Sequence, residues 1–304
     1  MWFVFAVLTT LIWGLAELFY KKGAHPDEKY SHLKICVCVG AVMGIHALFT
    51  LLTQDIHYDP VNLLRYLPVS LLYIFSMTFS YFGMRFIEES ISDPIENTSG
   101  AICSLLCVIF LKERLSLPAV AAIIVIAVGV LGVGFLENSG ESERKKKLGR
   151  AMAVAAFCMP FLYALLDAVG SFLDVYYLDD PALTPLVGVT EETIEAVANT
   201  SYELTFAAFA LVVFVYMKIR RVKFELPKQR EKMLAAVCET AGQFTYVYAM
   251  SGNGAISAPI ISSVCVVSLL LSRIFLGEKL SKKQYFFIGL VVAGIIALAV
   301  VEEL

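Results

Sequence analysis

Apolar stretches of about 20 residues, the length that carries a helix across the hydrocarbon core of a bilayer, recur along the whole chain and are parted by short polar turns. Ten of them are predicted as helices, at 2–20, 33–53, 65–87, 94–111, 117–136, 151–172, 200–217, 233–251, 255–276 and 283–301. The polar break NSGESERKKKLGR divides them into a first five-helix repeat (1–137), a cytoplasmic linker (138–150) and a second five-helix repeat (151–304). Because five is odd, the second half enters the membrane from the opposite face. The expected fold class is therefore an all-α membrane protein with ten transmembrane helices as two inverted repeats.

A gapless sequence repeat supports the division. Ser92–Ser116 (SDPIENTSGAICSLLCVIFLKERLS) returns as Ser257–Ser281 (SAPIISSVCVVSLLLSRIFLGEKLS), aligning Pro94 with Pro259 and Glu113 with Glu278. Composition agrees: 59% of the 304 residues are hydrophobic and 17% charged, against roughly 45–50% and 25% in soluble domains. The segment 1–19 has no basic leader and runs into Lys21 and Lys22, so it reads as the first span rather than a cleaved signal.

Charge sets an orientation. All of the 24 Lys and Arg except Arg65, Lys112 and Arg114 fall in the loops after odd-numbered spans or their flanks, which puts those loops in the cytoplasm and both termini outside. From Ala151 to Met217 there is no basic residue at all. The acidic stretch Asp174–Asn199 is the longest loop and falls on the outer face, with a short capped helix at Thr190–Ala198. It serves as a solvated lid or as a surface that concentrates cations. The seven cysteines all lie in apolar stretches without metal-ligand or disulfide spacing, and read as small buried residues.

The two five-helix halves, the Trp13-Gly14 pair in the first span, and the Pro94…Glu113 and Pro259…Glu278 segments resemble the drug/metabolite transporter superfamily. The similarity is closest to its EamA-type ten-helix branch. That resemblance implies a cavity between the two bundles, alternating access by rocking, no use of ATP, and termini inside. On the last point it runs against the charge count. It leaves the substrate open.

Acids inside spans are costly and mark function by default. Glu17, Glu96, Asp167 and Glu239 stand out, with no Lys or Arg at comparable depth in the sequence. Aromatic and amide residues share their helix faces: Trp13 and Tyr20 with Glu17, Tyr163 with Asp167, Gln243 and Tyr246 with Glu239. Tyr81 aligns with Tyr246 across the repeat. Carboxylates beside aromatic faces suit an organic cation, and buried carboxylates can also exchange protons. Structural accounts stand beside these: Glu17 pairing with Lys21, and Glu96 complementing the helix dipole in a first turn. Pro94 and Pro259 read as first-turn prolines, each after a short loop that makes a tight hairpin of spans three and four and of spans eight and nine. Pro160 reads as a mid-span kink, and glycines 129, 132, 134, 289 and 294 as close-packing positions.

His46 is the sole histidine within a span and reads as a packed or interfacial residue. No HExxH, GxSxG or Gly-rich phosphate loop occurs, so neither an enzyme nor a cofactor or metal is expected. The expected protein is a multi-pass secondary transporter of a prokaryotic cytoplasmic membrane. Its partners are a small polar metabolite, chiefly an organic cation or amine, and the lipid bilayer; no nucleic acid is expected, and the oligomeric state is left open, a monomer being compatible. The substrate-binding set is Glu17, Glu96, Asp167, Glu239, Trp13, Tyr20, Tyr81, Tyr163, Gln243 and Tyr246. The alternatives are an amino-acid or neutral-metabolite exporter, and a lipid head-group flippase.

Overall fold

The computed structural model describes residues 1–23, 28–84, 92, 95–137, 150–276 and 280–303; side chains are described for these except 133–137, 150–157, 276 and 302–303. Pro94, Gly134, Glu278, Lys279 and most of the linker therefore fall outside what can be said of contacts. Among the described residues the chain is helix and turn with no strand. The helices are α1 (Trp2–Gly23), α2 (Ser31–Thr53), α3 (Val61–Arg65), α4 (Leu67–Gly83), α5 (Ser99–Leu106), α6 (Leu117–Glu137), α7 (Arg150–Leu178), α8 (Ile194–Ile219), α9 (Arg230–Ile261), α10 (Val264–Leu276) and α11 (Lys282–Glu303). Five are long and apolar enough to cross a membrane, and six spans result if α9 and α10, which meet at 49°, count as one. The α4, α5 and α6 segments are shorter apolar helices.

The tail of the sequence repeat works as a helix stop followed by a helix start. After α5 a π-turn (Cys107–Leu111) ends at Lys112, which adopts the left-handed conformation with φ 59°. Glycine normally takes that position, and Gly277 is the residue aligned with Lys112 in the second copy. Four residues on, the Ser116 hydroxyl accepts a hydrogen bond from the Ala119 N–H at 3.2 Å and opens α6. Its counterpart Ser281 forms a full capping box with Gln284, at 2.7 and 3.2 Å, and opens α11. The shared Ser thus caps the following helix in both copies of the repeat.

Within α9 the backbone at Asn253 leaves the helical region (φ −168°, ψ 80°). Ser257 Oγ donates to the Ala249 carbonyl at 2.8 Å. Eight residues of continuous helix would rise about 12 Å, so the chain folds back at Asn253 into pieces 230–252 and 254–261. Pro259 sits inside the second piece rather than in its first turn, a correction to the sequence reading. Its missing N–H frees the Ala255 carbonyl, and the Ser104 hydroxyl of α5 donates to that oxygen. Gly100 permits the approach: a Cβ there would lie 2.1 Å from Ser262 Oγ and 2.4 Å from the Ala258 carbonyl. The helix carrying Pro259 is thus repaired by the other half of the chain.

The principal packing pairs are α1 with α9, α2 with α8, α4 with α7, and α6 with α11. Glycines 129, 132 and 294 lie at the α6–α11 contact as expected, whereas Gly289 faces open space. Large apolar side chains such as Leu48, Leu52, Leu211, Val212, Ile274 and Phe286 are exposed, while Ser70, Ser76, Thr200 and Ser257 are buried. That distribution suits a hydrocarbon solvent. Cysteines 36, 38, 103, 107 and 265 are buried, but Cys158 is exposed, because it lies on the outer face of α7.

The acidic connection between α7 and α8 is shorter than expected. α7 continues to Leu178 and α8 begins at Ile194, so Asp174 and Asn199 are helical and buried. The Thr190–Ala198 segment is no separate helix: residues 190–193 form a capping turn, with Thr190 Oγ1 accepting from the Glu192 N–H at 3.3 Å, and α8 follows directly. Asn62 of α3 clasps Val187 of this connection by two hydrogen bonds of 2.9 and 3.0 Å.

Candidate functional site: a carboxylate-lined central cavity

Four helices turn one face toward a common centre, with residues at spacing i, i+4 and i+7 or i+8. They are 13–17–20 on α1, 73–77–80 (with Tyr81, and Met84 just past its end) on α4, 163–167–171 on α7, and 239–243–246 on α9. Between them, closed by Glu96, Asn97, Ser99 and Gly100 at the start of α5 and by Ala258, Ile261 and Ser262, lies a cavity of about 120 Å³. All ten residues singled out from the sequence line it. No Lys or Arg is found among the described lining residues.

Hydroxyl groups hold the acids. Tyr20 donates to Glu239 Oε2 at 3.4 Å, and its oxygen lies 2.9 Å from that of Tyr81. Ser80 donates to Glu96 Oε2 at 2.8 Å. Ser99 and Tyr163 hydrogen-bond Asp167. Trp13 stacks on Tyr246 with ring centroids 5.1 Å apart and 29° between planes, and its indole N–H donates to the Glu239 carbonyl at 3.1 Å. Gly242 makes room for that indole, since a Cβ would lie 2.3 Å from Trp13 Cδ1. At the other end of the cavity Tyr73 and Tyr246 share a 2.6 Å hydroxyl contact, and Tyr246 donates to Ser171 at 3.0 Å. A ring of carboxylates and aromatic faces above a hydroxyl floor can hold a small positively charged or polar molecule without supplying a reactive nucleophile.

Two acids away from the cavity, Glu203 and Glu28, have basic partners. Glu203 of α8, fully buried, receives His46 Nδ1 at 2.8 Å and Asn199 at 3.1 Å. His46 is therefore an ion-pair or hydrogen-bond partner rather than a merely packed ring. Glu28 lies between Lys34, which it contacts closely, and Lys232 at 3.5 Å. Both lysines are buried, although the sequence counted them among loop charges.

Several cavity residues escaped the sequence reading: Tyr73, Met77, Ser80, Ser99, Ser171 and Tyr202. Their signal was present in the helical register, for Tyr73 stands eight residues before Tyr81 and Ser171 four after Asp167. Uncharged side chains in an apolar span attract no notice until the facing helix is known. Among the described residues no group of three or more His, Cys, Asp and Glu is arranged to hold a metal ion.

Membrane-length helices enclosing a polar chamber have the build of a polytopic membrane transporter. Residues 1–135 and 182–300 match the model of the EamA-like transporter family, and the chain belongs to that family. It is a drug/metabolite-type transporter and a multi-pass membrane protein, not an enzyme. No curated protein matches it. A solved structure named only as "Crystal structure of protein" is similar over 98% of this chain and 96% of its own, with a TM-score of 0.71 and 14% sequence identity. At that identity the likeness concerns the fold alone.

Proposed function

We propose that this transporter moves a small organic cation or amine through the central cavity by alternating access, exchanging it for or accompanying it with protons, in a prokaryotic cytoplasmic membrane. The observation that carries the reading is the lining itself. Asp167 and Glu239 face the cavity with hydroxyl partners among the described residues, and Trp13, Tyr20, Tyr81, Tyr163 and Tyr246 surround them. Each aromatic face adds about 0.5–2 kcal/mol toward a desolvated cation.

The proposed frame is ten crossings in two inverted halves. It follows if α4, α5 and α6 each cross and if the two pieces of α9 belong to different crossings. The helix contacts favour it, because they come in pairs that a two-fold operation exchanges. α1 against α9 answers α7 against α4, α1 against α10 answers α7 against α5, and the pairs α2–α8 and α6–α11 map onto themselves.

Proteoliposomes containing the purified protein test the substrate class. Radiolabelled choline is expected to enter faster than into empty vesicles and to be competed by primary amines. Faster movement of a zwitterionic amino acid, without competition by amines, would replace the cation reading.

A further inference from the structure

Asp174 is the outermost member of the α7 stripe, one turn beyond Ser171 and two beyond Asp167, yet it does not line the cavity. It is 0% exposed. Tyr66, itself buried just ahead of α4, donates to one carboxyl oxygen, and the other oxygen, Oδ2, has no close hydrogen-bond partner among the described residues. On the cavity side the Tyr73 hydroxyl also interacts with this carboxyl, while lying 2.6 Å from the hydroxyl of Tyr246 and 3.3 Å from that of Ser171. Around Asp174 stand Tyr66, Tyr73 on α4, Cys103 on α5, Tyr202 on α8 and Tyr246 on α9. Every one of these groups is uncharged in its ordinary state, and among the described residues Asp174 makes no ion pair.

An ionised carboxyl in this place leaves a full charge wholly buried, with tyrosine hydroxyls as its hydrogen-bond partners and no cation beside it among the described residues. A neutral acid leaves at most one hydrogen unpaired. In a low-dielectric interior the first arrangement is far the more costly. The packing also leaves no space at Asp174 for an organic ammonium group. We propose that Asp174 is a proton-binding site of the transport cycle, distinct from the cavity, which holds a proton while the outer end is closed and gives it up to the outer face when Tyr66 withdraws. The proton is taken up from and returned to water, so nothing else is consumed. Tyr73, Tyr246 and Ser171, whose hydroxyls both donate and accept, run from the site to the cavity that Asp167 lines. Only the release step rests on the transporter reading.

The same arrangement explains the clasp outside it. Tyr66 lies between Arg65, whose carbonyl accepts from Tyr177 at 2.9 Å, and the start of α4. Asn62 on α3 holds the α7–α8 connection. Movement of α3 away from that connection would separate Tyr66 from Asp174 and admit water to both.

Infrared difference spectroscopy of the full chain in nanodiscs reads the protonation directly and needs no substrate. At neutral pH the wild type is expected to show a carboxylic-acid C=O stretch that Asp174→Asn lacks, and Tyr66→Phe should move that band to higher frequency. Identical carboxylic-acid regions in wild type and Asp174→Asn would overturn the proposal. If Asp174→Asn does not purify as a folded protein, Tyr66→Phe decides alone, and an unmoved band overturns the proposal. For the release step, an imposed pH gradient should stimulate choline uptake by wild-type vesicles and fail to stimulate Asp174→Asn vesicles. Equal stimulation would remove Asp174 from the cycle. Absence of any choline uptake by the wild type would sink the cation reading instead, and the infrared result would still stand on its own.

Discussion

Glu28 and Glu239 are both carboxylates in contact with α9, and they are held in opposite ways. Glu28 sits between two buried lysines, Lys34 of α2 and Lys232 at the start of α9. Glu239, nine residues after Arg230, has a tyrosine hydroxyl at 3.4 Å and a cavity in front of it. A buried cation left without its counter-ion costs several kcal/mol, so Glu28 is needed by the fold whatever the protein transports. On the proposed reading, Glu239 is left for something that comes and goes. The lesson is that an acid buried in a membrane protein is classified by its partner, not by its depth.

The sharpest way to break this comparison is Glu239→Gln. Choline uptake should fall at least about 100-fold, the scale of losing one desolvated charge partner, while unfolding stability changes by less than about 1 kcal/mol. A large loss of stability with transport retained would make Glu239 a second Glu28. The converse substitution, Glu28→Gln, should destabilise by roughly 2–4 kcal/mol, with uptake per folded molecule unchanged; thermal unfolding in detergent measures it.

Acid should reproduce the Glu28 effect. Burial pushes its carboxyl up, but the hydrogen bond from Lys34 and the charges of Lys232 and Lys34 outweigh that and hold it below the usual carboxylate range. The folded state therefore binds this proton less readily than the unfolded chain. The contribution is complete above the ordinary glutamate value of about 4.3 and is lost as pH falls through the lower folded value. Unfolding scans of the wild type and Glu28→Gln should converge over that acidic window.

A smaller effect is expected at Gly242. Gly242→Ala places a Cβ against the Trp13 indole and displaces it from Tyr246, which should weaken choline binding by about tenfold, near the value of one cation–π contact. Trp13→Phe restores stacking area without the indole N–H and should recover part of the loss in the double variant. The least change is expected of Lys112→Gly. Relieving a left-handed non-glycine residue should add about 1 kcal/mol of stability and leave uptake unaltered, as befits a helix stop.

The repeat, the apolar stretches and the four intramembrane acids could be found in the chain because they are local. Glu17 with Trp13 and Tyr20, or Glu239 with Gln243 and Tyr246, share a face by helical register alone, and the structure turns those faces to one cavity. The errors arose where a residue's meaning depends on a distant one. Asp174 looked like the start of an acidic loop, because nothing nearby announces that Tyr66 covers it. Pro259 looked like a helix start, because the hydroxyl that repairs its helix comes from Ser104. Lys34 and Lys232 looked like loop charges, because Glu28 brings them together across 198 positions of sequence.

What the sequence by itself determined is membrane residence, the all-helical class and the family, since each follows from runs of apolar residues and short motifs whose physics is complete within one or two turns. What only the tertiary structure decided is which acids have a cation beside them. Charge pairing acts over a few ångströms between helices far apart in the chain, and the period of a single helix carries no record of the helix that faces it.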